Sequence, residues 1–455
     1  MKKSNIQQNL TLFALTWPIF IELLLRMLMG SADTLMLSQY SDLSVAAVGV
    51  SNQIISIVIV MFNFIATGTA IIIAQQLGSK DLKRANETAV VAISVNLFFS
   101  ISLSAILFIF KKDILLLMGL PDELMGEALS YLQIVGGFMF LEGLLMTIGA
   151  ILRSHGFTKD TMYITMGVNL INVIGNYLFI FGAFGVPVLG VKGVAISTIL
   201  SRFIGLLIII YVLLKRTNGS LPFHIFFKFP KQPIRQLLKI GVPTAGEHLS
   251  YNTSQMLITF FIAMIGTDAI TTKVYTQNLM MFIFLFALAI GQGTQIMIGH
   301  HVGANELNKA FHRCLKSLRL AVTISLSAAL IFFFSAKSLL QLFTDNEGII
   351  SLGSQLLLLT IILEPGRAFN LVVINSLRAA GDVKFPVYMG ILSMWGISVP
   401  LAYMLGIQMG MGLVGIWIAF IVDEWFRGIL MLIRWRSKIW VQKSFVSEAN
   451  AHSTS

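Results

Sequence analysis

The chain has 455 residues, 56% hydrophobic and 12% charged, with a formal net charge of +11. Water-soluble domains carry about a quarter charged residues, and one soluble core stops growing below this length. A mean hydropathy of +0.83 therefore excludes a soluble globular protein and implies a chain that crosses a bilayer many times.

Apolar runs predict helices at 10–37, 44–77, 88–110, 126–152, 161–184 and 187–214. After a polar gap they resume at 237–264, 269–300, 314–335, 349–377, 386–407 and 411–434. No open sheet edge survives in hydrocarbon, so the fold class is an all-α membrane protein with twelve transmembrane helices. The opening MKKSNIQQNL leads into apolar sequence without a small-residue cleavage site, so no removable signal peptide is expected. Cys314 is the single cysteine, which excludes an intramolecular disulfide framework and a cysteine-based metal cluster.

Basic residues set the orientation. With the N-terminus inside, cytoplasmic segments hold 23 of the 32 Lys and Arg, from Lys2 and Lys3 to Lys443. The opposite side holds five: Lys111, Lys112, Lys192, Lys273 and Lys337. That asymmetry predicts a multi-pass protein of the cell membrane with both termini cytoplasmic. The positive charge is then a topology signal, and no nucleic-acid partner is expected.

The two halves match when residue n is laid on residue n + 225. Pro18 meets Pro243 and Glu22 meets Glu247. Gly68-Thr69 meets Gly293-Thr294, and Gly78 meets Gly303. Leu152-Arg153, Gly156, Lys159 and Tyr163 meet Leu377-Arg378, Gly381, Lys384 and Tyr388. Shared apolarity does not explain matched Pro, Glu, Arg and Lys. An even number of helices per copy makes the repeats parallel, related by a pseudo-two-fold along the membrane normal. The division is a six-helix bundle at 1–214, a cytoplasmic linker at 215–239, a second six-helix bundle at 240–435 and a cytoplasmic tail at 436–455. Two such pseudo-symmetric bundles suit alternating access, with a central cavity open to either side in turn.

Seven acids fall inside the apolar runs: Glu22, Asp33, Glu142, Glu247, Glu364, Asp423 and Glu424. Each costs about 3 kcal/mol if left unpaired in mid-membrane, so most must be paired, protonated or wet. Glu22 and Arg26, and Asp423 and Arg427, are spaced i,i+4, while Glu364 and Arg367 are spaced i,i+3, so each pair can meet on one face. Such pairs can be structural alone. Asp33, Glu142 and Glu247 lack a partner of that kind. Intramembrane acids outnumber arginines in both halves. Arg367 is expected to neutralise Glu247 or Glu364, as a structural or gating element.

WPIFIELLLRMLMGSADTLMLSQY in the first helix, AAVGVSN, QQLGSKDLKRA, LRSHGFTKD and NVIGNYLFIFG share an order with HHVGANELNKA and LRAAGDVKFP in the second half. Together they resemble the multidrug and toxic compound extrusion (MATE) family of bacterial secondary transporters. The resemblance implies export of organic, often cationic or amphipathic, drugs by antiport with inward H⁺ or Na⁺. It implies no enzyme activity, no cofactor beyond the coupling ion, and as partners only small organic substrates, that cation and the lipid bilayer. The chain is read as a monomer.

In the resemblance Asp33 takes the place of a first-helix aspartate that binds the coupling ion, with Na⁺ near Asp33 as one form of the site. Asp33 also lies 21 residues past Leu12, about 32 Å along an ideal helix, where an interfacial position is the other reading. Asn172 and Asn176 match the family's paired polar residues of the same pocket; as mid-membrane amides they serve equally as interhelical glue. The second half departs from the family. Tyr251 and Arg367 stand where many members carry acids, so the second half lacks those two carboxylates of the family's Na⁺ site. A lipid-linked glycan or lipid flippase of related fold is the alternative function. Its bulky anion would want a net positive cavity, whereas the intramembrane count is net negative. No HExxH, GxSxG or P-loop sequence occurs, so an ion gradient is the expected energy source.

Overall fold

The computed structural model describes residues 11–445. Lys2, Lys3 and tail residues 446–455, which enter the expected orientation and division, lie outside the described residues.

Among the described residues each predicted run is helical over most of its length. The first half contains α1 (Leu12–Ser38), α2 (Asp42–Gly78), α3 (Leu82–Leu117), α4 (Asp122–Tyr131), α5 (Phe140–Ser154), α6 (Thr158–Phe181) and α7 (Val191–Arg216). The second contains α8 (Lys231–Ile265), α9 (Thr267–Gly303), α10 (Leu307–Phe334), the short α11 (Ala336–Leu340), α12 (Glu347–Ala379), α13 (Lys384–Ser393), α14 (Val399–Tyr403) and α15 (Gly412–Arg436). Among the described residues nine helical spans are long and apolar enough to cross a membrane, and ten when the bent pair α4 and α5 counts as one. Polar residues keep α8 and α15 outside that test, and with them the spans number twelve.

Local chemistry explains the boundaries. Asp81 caps α3 by accepting the Arg84 backbone N–H at 3.0 Å, and Asn346 caps α12 by accepting from Gly348 and Ile349. Gly182 ends α6 at φ +66°, a left-handed conformation that a side chain would strain. Two spans are interrupted by π-helical turns. Leu132–Gly136 separates α4 from α5, whose axes differ by 42°, and Met394–Ser398 separates α13 from α14. Each such turn leaves a backbone carbonyl without its usual i+4 donor, and the first of the two spans bends beside it. Helix α8 begins at Lys231, inside the stretch read as linker. Pro233 falls in its first turn, where a missing N–H breaks no intrahelical bond.

The helices gather into two compact units. One comprises Ile21–Ile73 and Asp81–Gly241; the other comprises the chain through Phe20, Ala74–Lys80 and the chain from Val242. The core of the first unit is built on Phe62, Leu107, Leu132 and Val194 from α2, α3, the π-helical turn and α7. Phe226, Phe227 and Phe229 of the linker lie along its α3: Ser94 donates to the Phe226 carbonyl, and Phe98 meets the other two rings edge-on at 6.2 and 5.2 Å. In the second unit Ile258, Leu356, Trp417 and Phe420 form one cluster, and Phe369, Trp435 and Trp440 anchor another.

Candidate functional site

In the first unit, buried charge runs along one side of α1. Glu22 accepts from Arg153 of α5 at 2.9 Å and from the Thr161 hydroxyl of α6 at 3.0 Å. Arg26 stands 3.5 Å from Glu22 and closer, 3.0 Å, to Glu142 of α5. The other Glu142 oxygen faces Arg202 of α7 at 3.2 Å. The result is an alternating chain, Arg153–Glu22–Arg26–Glu142–Arg202, in which every carboxylate touches two guanidiniums. The Arg26 side chain is 41% exposed while both glutamates are 7% exposed. Arg26 thus keeps an open side while the two carboxylates it bridges are buried.

Asp33 lies two turns further along α1, half-buried. Its Oδ1 accepts from Asn176 Nδ2 at 2.6 Å. The same amide reaches Asn172 Oδ1 at 3.2 Å, and Asn172 in turn donates to the Thr198 hydroxyl of α7 at 3.2 Å. The Ser197 hydroxyl donates to the Asn172 carbonyl at 2.8 Å. Asn172 and Asn176 are fully buried, and Asn176 Oδ1 finds no hydrogen-bond partner among the described residues. The two asparagines therefore join α6 to its neighbours and also supply the hydrogen bond that orients Asp33. Thr198 and Ser197 are not among the residues expected from the sequence. Their hydroxyls in VAISTILSR offer no signal apart from their position on a helix bearing Arg202.

The second unit answers the remaining expectations. Arg367 pairs with Glu364 at 2.6 Å, as one of its two expected partners, and reaches Glu424 at 3.6 Å. Glu247 goes instead to Arg378, on the final turn of α12. Arg427 holds Asp423 at 2.8 Å and Glu424 at 3.1 Å; Glu424 also accepts from Asn370 at 2.8 Å, and Asp423 from Ser393. Glu364 Oε2, buried, finds no hydrogen-bond partner among the described residues.

Arg153 and Arg378, counted among the cytoplasmic charges from the sequence, each turn the side chain inward to a helix-borne glutamate. Including them balances the first-half acids with arginines and leaves the second half one acid in excess. Residues 22 and 153 map onto 247 and 378 under the 225 offset, so the same ion pair is built twice. Glu142 and Arg202 map onto Arg367 and Arg427, and there the copies diverge: the second half places two guanidiniums where the first has a Glu–Arg pair, and draws its acids from α12 and α15. Among the described residues no three His, Cys, Asp or Glu side chains form a metal-holding group. At Asp33 itself the hydrogen-bond partner is the Asn176 amide, while the Thr198 and Ser197 hydroxyls stand on Asn172.

The MatE family model matches residues 18–178 and again 243–404, two stretches whose starts lie 225 residues apart. The chain belongs to the MatE family. As a MatE protein it is a multi-pass membrane transporter and not an enzyme. It is 56% identical over 97% of both chains to a Bacillus subtilis (strain 168) protein described as an uncharacterized transporter, YisQ. It is 26% identical to the probable multidrug resistance protein NorM of Thermotoga maritima, covering 96% of this chain and 94% of that one. A solved structure titled as the outward-facing conformation of a multidrug resistance MATE family transporter of the MOP superfamily superposes with a TM-score of 0.86. It covers 94% of this chain and 95% of that one at 20% identity, which shows a shared MatE fold.

Proposed function

We propose that this MatE protein exports organic, cationic or amphipathic drugs and toxic compounds from the cell by antiport with H⁺ or Na⁺ through alternating access. Both termini are cytoplasmic in this scheme, by the asymmetry of the basic residues. The repeats are residues 1–214 and 240–435, with 215–239 as linker and 436–455 as tail, and one chain carries the whole transport unit. Asp33 carries the coupling ion, with Asn172 and Asn176 orienting it. The network of Glu22, Arg26, Glu142, Glu247, Glu364 and Arg367 sets the electrostatic frame.

The observation that carries this reading is the Asn176–Asp33 bond. A carboxylate on a membrane helix, half-buried and held by a neutral amide, has no guanidinium in hydrogen-bond contact. Its charge is therefore free to be neutralised by an exchanged ion, unlike that of Glu22 or Glu142. Coupling requires a group whose occupancy differs between the two access states. One unit charge crossing 100 mV supplies about 2.3 kcal/mol, roughly a fifty-fold substrate gradient.

Ethidium efflux from vesicles, with pH and Na⁺ gradients collapsed separately, tests the reading. Wild type should lose efflux when one gradient is removed, and Asp33→Asn should lose at least tenfold while remaining folded. Efflux indifferent to both gradients would sink secondary transport; full activity of Asp33→Asn would sink only the assignment of Asp33.

A further inference from the structure

Residues 75–78 of α2 and 300–303 of α9 cross at near-contact of backbones. A Cβ on Gly78 would lie 2.1 Å from the His300 carbonyl oxygen, and one on Gly303 1.8 Å from that of Gln75. The 225 offset exchanges these two contacts, so the crossing is self-complementary in the way an isologous two-fold interface is. All of these residues belong to one compact unit.

Gln75 is fully buried beside the crossing. Its Nε2 donates to the Ala379 carbonyl at 2.7 Å. Its Oε1 accepts the Phe445 backbone N–H at 2.9 Å and the Ser444 hydroxyl at 3.2 Å. Both donors belong to the strap that follows α15. Lys438, at φ +57°, turns the chain back into the 3₁₀ turn Ile439–Lys443. Trp440 then stacks on Trp435 with centroids 4.3 Å apart and donates Nε1 to the Trp435 carbonyl at 2.8 Å. The strap next passes over Gly381, where a Cβ would lie 2.0 Å from the Lys443 carbonyl oxygen. It is thus fixed to α15 at one end and bonded to α2 at the other. The first repeat has no such strap: the stretch after α7 turns to α3 instead, where Asn86 Nδ2 donates to the Ser220 hydroxyl at 2.8 Å. The strap is an unpaired addition to a paired crossing.

We propose that residues 439–445 form a latch on the end of α2, which holds the α2–α9 crossing shut and sets how often the transporter opens to the cytoplasm. The inference rests on the alternating-access reading and on the cytoplasmic placement of these helix ends. Two helix ends related by the repeat axis must part when that side opens, and Gln75 cannot follow α2 without giving up the strap or its bond to Ala379. Two buried hydrogen bonds together shift such an equilibrium by about tenfold.

The test uses the full chain carrying Cys314→Ser and Ser79→Cys, in vesicles whose cytoplasmic face meets a membrane-impermeant maleimide. Ser444→Ala with Phe445→Pro removes both donors to Gln75 Oε1; a chain ending at Lys438 removes the strap. Labelling at position 79 should quicken about tenfold in each. Parental labelling rates in folded variants, judged by a single gel-filtration peak, would overturn the latch. If the shortened chain fails to fold, the double variant decides alone, since it leaves the Trp435–Trp440 stack in place. Labelling needs neither substrate nor gradient. Absent ethidium efflux in the parent would therefore count against the transport reading alone, and unchanged labelling beside normal efflux against the latch alone.

Discussion

His155 lies in the turn between α5 and α6, its Nδ1 2.9 Å from the Ile151 carbonyl and its ring stacked against Phe157. Burial holds its pKa below the usual value of 6.5, with the bond to Ile151 opposing. The folded state therefore favours the neutral ring. Its contribution to stability is complete above about pH 6.5 and is lost as pH falls through the lower folded-state value, because the unfolded chain takes up the proton more readily. Thermal unfolding in detergent should show a fall in Tm between pH 7 and pH 5 that is smaller in His155→Gln. An equal fall in both would assign the acid sensitivity elsewhere. Asp33 illustrates what single residues disclose before a structure is known. Its lack of an arginine partner on its own helix could be read from spacing, but its contact with Asn176 lies 143 residues away and leaves no local trace.

Between elements, the duplicated pairs Glu22–Arg153 and Glu247–Arg378 tie α1 to α5 and α8 to α12. Removing Arg378 strands the buried Glu247 carboxylate, at a cost of about 3–5 kcal/mol, whereas Glu22 without Arg153 keeps Arg26 and the Thr161 hydroxyl. Arg378→Ala should lower the folded yield sharply and Arg153→Ala less so, and Glu247→Gln with Arg378→Met should recover much of the first loss; fluorescence-detected gel filtration reads all three. Equal losses in the single and double variants would mean that packing, and not the stranded charge, sets the cost. The equal 131-residue separation was present in the matched repeat, and reading partners across it would have found Arg153 and Arg378. Glycines at the helix crossing behave differently from those elsewhere. Gly303→Ala forces a methyl onto a backbone oxygen and should cost at least about 1–3 kcal/mol. Gly49→Ala, with open space around the added methyl, should be neutral or stabilising by up to about 1 kcal/mol through helix propensity. Similar melting temperatures for the two would contradict the close approach.

Across the molecule, the bilayer made the helices legible. Hydrocarbon demands long apolar runs, and the twelve read from hydropathy coincide with the observed spans, with the largest differences at their ends. The π-helical turns at Leu132–Gly136 and Met394–Ser398 were not legible, since a one-residue change in winding leaves hydropathy untouched. The repeat was legible because matched Pro, Glu and Gly recur at one offset, and the two stretches of MatE similarity keep that spacing. Partners of the buried charges were only partly so. Spacing along one helix identified Glu364–Arg367, whereas Glu142–Arg202 and Glu424–Arg367 depend on how separate helices are arranged.

The linker's aromatic seam along α3 bears on how the polypeptide would tolerate being cut. The exposed turn at Asn218 and Gly219, both at positive φ, is the natural site for a protease to enter. Downstream of that scission, Phe226, Phe227 and Phe229 would still grip the helix of the upstream fragment. Limited proteolysis there should yield two bands on a denaturing gel that co-purify as one particle in mild detergent. Fragments that drift apart would show that covalent continuity, and not this seam, keeps the two portions in company.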